Sequence, residues 1–122
     1  VNEVVNLERA FGRLTEFWSP KVIGRVNDQY VKVAKIKGSF TWHKHDAEDE
    51  LFHVIRGRMR IEYPDGGAAE LGPGDIHVVP RGTMHCPVAD DECWVMLVET
   101  TTTQHTGDIV SPLTRSIEDQ LV

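Results

Sequence analysis

An all-β sandwich is the fold this sequence predicts, and three observations point to it. Short stretches alternate apolar and polar residues, glycine- and proline-rich turns separate them, and Trp94 to Glu99 is apolar enough for a central buried strand. Tyr30 to Lys37 reads as a strand of mixed alternation. Arg58 to Tyr63 alternates cleanly, with Met59, Ile61 and Tyr63 on one face and Arg58 and Arg60 on the other, and closes on Pro64-Asp-Gly-Gly67. Ala68 to Leu71 is a shorter strand that closes on Gly72-Pro-Gly-Asp75. Ahead of the strands, Leu7, Ala10, Phe11 and Leu14 fall at helical spacing with Asn6 placed to cap them. A short N-terminal helix packed across the sandwich is therefore expected, although Gly12 weakens it. After Thr100 the chain is polar, with no strong period until Ile117.

Composition suits one domain spanning residues 1–122, with a core over about residues 30–100 and short flanks. No apolar run reaches the roughly 18 residues that span a bilayer, and no charged region followed by an apolar stretch marks a signal peptide. A cytoplasmic protein with no membrane partner is the expectation. The net charge of −6 disfavours nucleic acid, whose phosphates are bound by basic patches. Arg56, Arg58 and Arg60 are the one basic cluster, and their parity suits a solvated outer face.

Chemistry is concentrated in two blocks. In Gly38-Ser-Phe-Thr-Trp-His43-Lys-His45, strand alternation points His43 and His45 the same way and Trp42 and Lys44 the other. Asp46 to Asp49 has room for a turn, where Glu48 and Asp49 would be solvated. Glu50 then opens a strand in which it shares the parity of Phe52 and Val54. A carboxylate on an apolar strand face is costly to bury alone, and a cation held between it and two imidazoles removes that cost. The second block, Gly74-Asp-Ile-His-Val-Val-Pro80-Arg-Gly82-Thr-Met-His85, is a strand, a Pro-x-Gly turn and a last imidazole delivered at the start of the next strand. His43, His45, Glu50 and His85 are thus the candidate ligands of one divalent transition metal. The mixed nitrogen and oxygen set suits iron, manganese, nickel, copper or zinc.

These two blocks, in this order, resemble the signature motifs of the cupin superfamily. The first has four residues between Gly38 and His43 where five are usual, and Ala89 stands where asparagine is common; neither touches a ligand position. The resemblance implies a double-stranded β-helix, or jelly-roll barrel, with the metal inside its mouth. The stretches Asn27-Asp-Gln-Tyr-Val-Lys, Phe40-Thr-Trp-His-Lys-His, Asp49-Glu-Leu-Phe, Val78-Val-Pro-Arg-Gly, His85-Cys-Pro-Val-Ala and Thr106-Gly-Asp are similar to small single-domain bacterial cupins. That group is often described as like the mannose-6-phosphate isomerases. Thr101-Thr-Thr-Gln-His105 departs from its usual Gly-Thr-x-Asn stretch. A homodimer is expected on the resemblance alone.

Parity assigns the remaining candidates. Thr41, Phe52, Val54, Met59 and Ile61 are the expected pocket walls. His77 alternates against Ile76 and Val78 yet shares a face with Val79, and is a candidate for supporting the metal ligands or relaying a proton. His53 has the parity opposite to Glu50, and His105 lies in a polar stretch, so both read as structural or exposed. Cys86 and Cys93 flank Ala89-Asp-Asp-Glu92, read as a hairpin turn, and diagonal neighbours across it are too far apart for a relaxed disulfide. Free thiols are expected.

Three functions fit. The first is a metal-dependent enzyme acting on a small polar or aromatic metabolite, either an oxygenase or a Lewis-acid isomerase or eliminase. The second is a non-catalytic, metal-dependent small-molecule binding protein. The third is a closed structural metal site. No catalytic acid or base is assigned.

Overall fold

The computed structural model describes residues 3–121; Val1, Asn2 and Val122, which the single-domain expectation includes, lie outside the described residues. In chain order the elements are α1 (Leu7–Gly12), β1 (Lys21–Val26), β2 (Gln29–Ser39), β3 (Glu50–Arg56), β4 (Met59–Glu62), β5 (Ala68–Leu71), β6 (Ile76–Val79), β7 (Cys86–Thr100) and α2 (Ile117–Gln120). Every ladder between them is antiparallel. The sheet runs β1-β2-β7-β3-β6, and a second layer forms where β4 pairs both β5 and β7. This is the expected jelly-roll.

β7 joins the two layers. Its C-terminal part lies between β2 and β3, with Leu97 opposite Lys32 on one side and Phe52 on the other, while Cys86 to Val88 pair with β4. The change of layer falls at Ala89 to Glu92, and here the structure corrects the sequence reading. These residues make no hairpin turn. They form an irregularity inside one continuous strand, where Ile36 pairs with Cys93 but Gly38 pairs with Ala89. Polar Asp90, Asp91 and Glu92 are exposed at this corner, so the turn-like composition marks a bulge that bends the strand. Cys86 and Cys93 consequently lie on the same strand, both buried and both free.

Parity decides what fills the interior. Ile36, Phe52, Val54, Ile61, Val95 and Leu97 all point into the space between the layers. The outer face of the larger sheet is covered in part by α1, whose start is fixed by the Asn6 side chain accepting from the Arg9 N–H at 3.0 Å. Phe11 is fully buried there and stacks on Trp94 with ring centroids 4.8 Å apart. Burying such a ring contributes about 1.5–3 kcal/mol, enough to hold a helix too short to persist alone.

β1 is a strand that the sequence pattern did not reveal, because Gly24 interrupts Lys21–Val26 and the register slips beside it. Gly57, between β3 and β4, sits at φ +84°, and a Cβ there would lie 2.6 Å from the Glu92 carbonyl oxygen. Gly57→Ala is therefore expected to lower unfolding free energy by about 1–3 kcal/mol, read as a fall in the urea midpoint; an unchanged midpoint would contradict this packing of the β7 corner.

Candidate metal centre

His43 and His85 face each other across an isolated antiparallel bridge, each backbone N–H donating to the other's carbonyl at 3.0 and 2.9 Å. The segment carrying His43 and His45 is otherwise no strand, yet the expected alternation holds: both histidines are buried while Trp42 is exposed. Glu50 opens β3 with Phe52 and Val54 on its own face. The Pro80-Arg-Gly82 turn is pinned by the Gly82 N–H donating to the His45 carbonyl at 2.7 Å, which ties the second block to the first.

The four side chains converge. Each offers one nitrogen or oxygen atom, all four within 4.8 Å of one another and all buried. His43 Nδ1 lies 2.8 Å from the Thr41 carbonyl oxygen and His85 Nδ1 lies 2.9 Å from that of Thr83. A carbonyl can only accept, so both Nδ1 atoms carry the proton and both Nε2 lone pairs are free to bind a cation. Nε2 of His45 and Nε2 of His85 stand 3.5 and 3.6 Å from Glu50 Oε1, beyond normal hydrogen-bond length. Both nitrogens are buried without a hydrogen-bond partner. An ion with bonds of about 2.0–2.2 Å satisfies all of these atoms at once with small side-chain movements, so the residues fit a metal.

Charge is arranged around the same point. Burial alone would raise the Glu50 carboxyl, but the neighbouring Glu99 carboxyl and the His45 and His85 imidazoles bring it well below the ordinary carboxylate range. Glu99, its cross-strand partner on β7, moves the opposite way. Burial and the adjacent Glu50 charge hold it well above that range even though Lys32 Nζ sits 2.6 Å from its Oε1. Of these two neighbouring carboxyl groups Glu50 is thus the more readily ionised. Lys32, itself buried, also donates to the Gln120 side chain of α2. Burial and the His85 charge lower His43 to about 4. For His45 burial is outweighed by Glu50, so it is raised.

A cavity of about 40 Å³ opens beside the cluster, reached by His43 and Glu50 and walled by Trp18, Phe40, Phe52 and Leu97, with Glu99 and His105 also lining it. Of the expected walls, Phe52 lines this cavity. Val54, Met59 and Ile61 sit in the packed core and do not line it, and Thr41 does not line it either, its carbonyl being bonded to the His43 ring. His77 faces the interior opposite Phe52, but its Nε2 is bonded to the Tyr63 hydroxyl at 2.6 Å rather than to any of the four clustered residues. Glu48 accepts from Thr102, and Asp49 from the Arg81 N–H; neither joins the cluster. His53 lies on the outward parity of β3, between buried Phe52 and Val54.

Sequence reasoning missed Trp18, Phe40, Lys32, Glu99 and the cavity position of His105. Trp18 adopts a left-handed backbone (φ 58°), held by its Nε1–H donating to the Lys37 carbonyl at 2.8 Å and by stacking on Phe40 at 4.6 Å. The inward parity of Lys32 with Ala34 and Ile36, and of Glu99 with Val95 and Leu97, was a readable signal for those two.

Comparison with known proteins agrees with this picture. The family model described as "Cupin domain" matches residues 29–110. The curated protein YdbB of Bacillus subtilis, described as uncharacterized, is 40% identical over 63 residues, covering 52% of this chain and 56% of its own length. This chain thus spans little more than half of that relative. Among solved structures, a cupin-2 domain containing protein from Shewanella frigidimarina aligns with a TM-score of 0.77 at 37% identity, over 80% of this chain and 94% of the other. Protein NMB1881 from Neisseria meningitidis aligns with a TM-score of 0.75 at 28% identity, over 80% of this chain and 99% of the other.

The lowered His43 value has a signed consequence for metal-free protein. Between about 4 and the ordinary 6.5 the unfolded chain binds a proton at this position that the folded chain does not, so its contribution to stability is full above 6.5 and is lost as pH falls towards 4. Relative to His43→Asn, metal-free wild type should lose about 3 kcal/mol across that window, measured by denaturant titration at several pH values; a constant difference would contradict the assigned burial.

Proposed function

This chain belongs to the cupin-domain family, and from that premise we propose that it holds one divalent transition metal through His43, His45, Glu50 and His85 and acts as a small metal-dependent enzyme. The observation that carries this reading is the pair of buried, unpartnered Nε2 atoms of His45 and His85 directed with Glu50 Oε1 at one point. Iron, manganese, nickel, copper and zinc all suit three imidazoles and one carboxylate. When bound, such an ion supplies Lewis acidity for isomerisation or elimination, or redox chemistry for oxygenation.

The chain's own groups set the conditions for that chemistry. The Thr41 and Thr83 carbonyls fix ring orientation and tautomer at His43 and His85. Trp18, Phe40, Phe52 and Leu97 give the cavity largely apolar walls. Glu99, its carboxyl pushed upward by burial and by the Glu50 charge, stands opposite Glu50 and is anchored by Lys32. The cavity reaches His43 and Glu50, which favours a coordination sphere open to a substrate over a closed structural one. Of the expected substrates, a small polar metabolite bearing oxygen atoms matches a cavity of about 40 Å³, which is too small for an aromatic one. Non-catalytic capture of the same molecule would use the same contacts and differs only in giving no turnover.

Two further assignments accompany this reading. We assign the protein to the cytoplasm, a reducing compartment that suits two buried unpaired thiols; among the described residues no helix is long and apolar enough to cross a membrane. A homodimer is supported by Ile76 and Val78, apolar and exposed on edge strand β6.

Elemental analysis of the purified protein is expected to give about one transition metal per chain, with Glu50→Gln lowering affinity at least about tenfold and Glu48→Gln leaving it close to wild type. Equal effects of the two substitutions, or no metal under any loading condition, would overturn the assignment.

A further inference from the structure

The segment after β7 brings to the cavity a histidine that takes no part in the four-residue cluster. His105 lines the cavity with His43 and Glu50, and the Phe40 ring stands between the two histidines, 5.0 Å from His105 and 5.5 Å from His43 by ring centroids. The Arg115 backbone N–H donates to His105 Nδ1 at 2.8 Å. An amide N–H cannot accept, so Nδ1 carries no proton and the neutral ring is held with its hydrogen on Nε2. Burial agrees with this state by lowering His105 to about 4. The clamp is itself anchored: the Arg115 guanidinium reaches Glu16 and the Leu113 and Thr114 carbonyls, each at 3.2 Å. Nε2–H has no hydrogen-bond partner among the described residues.

Of the other polar groups at the cavity, His43 and Glu50 belong to the cluster, and Glu99 is held through Oε1 by Lys32 while its Oε2 has no hydrogen-bond partner. His105 is a free, pre-oriented N–H donor on a wall that is otherwise mostly apolar. The ligand that matches is limited in size and charge. A cavity of about 40 Å³, set against the roughly 10–15 Å³ that one water needs on this measure, admits only a few heavy atoms. A divalent ion with three neutral imidazoles and one carboxylate retains positive charge and favours an anionic oxygen ligand.

We propose that His105 is a ligand-binding residue of this site, donating from Nε2–H to one oxygen of a small carboxylate or hydroxy acid whose remaining oxygens reach the His43 and Glu50 side of the cavity. This rests on the metal reading above and deepens it by naming the ligand class. The donor is neutral, so it selects for an oxygen acceptor at a fixed place rather than for negative charge in general.

Two measurements test it. Nitrogen-15 NMR of the histidine rings in metal-free protein at neutral pH should show the His105 proton on Nε2; a proton on Nδ1 overturns the proposal whether or not a metal binds. Calorimetric titration of zinc-loaded protein with glycolate should show binding at least about tenfold weaker in His105→Phe. His105→Asn, which keeps a side-chain N–H donor, should recover part of the loss, and azide, which needs only the metal, should bind all three proteins alike. No glycolate binding to wild type, equal glycolate binding in His105→Phe, or azide weakened as much as glycolate overturns the proposal. Failure to load zinc or any other transition metal overturns the metal reading instead, and the ring-proton measurement then still decides His105.

Discussion

A carboxylate buried inside a β-sandwich has to be neutralised or paired, and Glu50 is the residue around which the rest of this structure is arranged. It opens β3 on the inward parity, 7% exposed, with two imidazole nitrogens 3.5 and 3.6 Å from one of its oxygens. Protein donors account for only part of what it needs. Its cross-strand neighbour Glu99 is pushed upward by burial and by the Glu50 charge, and buried Lys32 holds Glu99 in place. Among the described residues the buried side-chain atoms without a partner are both ring nitrogens of His45, Nε2 of His85 and Oε2 of Glu99, and a cation answers the two Nε2 atoms and the Glu50 carboxylate at once.

The fold supplies the convergence from distant parts of the chain. β7 spans both layers, places Glu99 opposite Glu50 and begins one residue after His85. The Pro80 to Gly82 turn is bonded to the His45 backbone, so the two ligand-bearing blocks cannot drift apart independently. The terminal segments then finish the cavity. Trp18 comes from the approach to β1, and His105 from the segment after β7, which α2 ties down through Gln120 and buried Lys32. Polar chemistry and apolar walls thus have separate origins: strands and turns give the first, and the flanks give much of the second.

The legibility of the site in the sequence follows that division. Alternation alone was enough to bring Glu50 to the side of His43 and His45 and to send His53 outward, because strand parity is a local property. The same test, carried along β2 and β7, would have found Lys32 and Glu99 beside Ala34 and Leu97. Parity gives the face of a strand and not the depth along the barrel, which is why Val54, Met59 and Ile61 proved to be core residues while Phe52 reached the cavity. Trp18 and His105 had no signal to offer. They lie in irregular segments whose course is set by long-range contacts such as the bond from Trp18 to the Lys37 carbonyl and the Arg115 clamp. Ala89 to Glu92 misled because a bulge and a hairpin turn draw on the same polar residues; only the pairing of β7 with both layers tells them apart.

The most direct measurement of the central claim is anomalous X-ray scattering from crystals of the protein purified with its native metal. One anomalous peak within bonding distance of His43, His45, Glu50 and His85 is the expected result. A peak elsewhere, or one that engages Glu48 or Asp49 in place of Glu50, would contradict it.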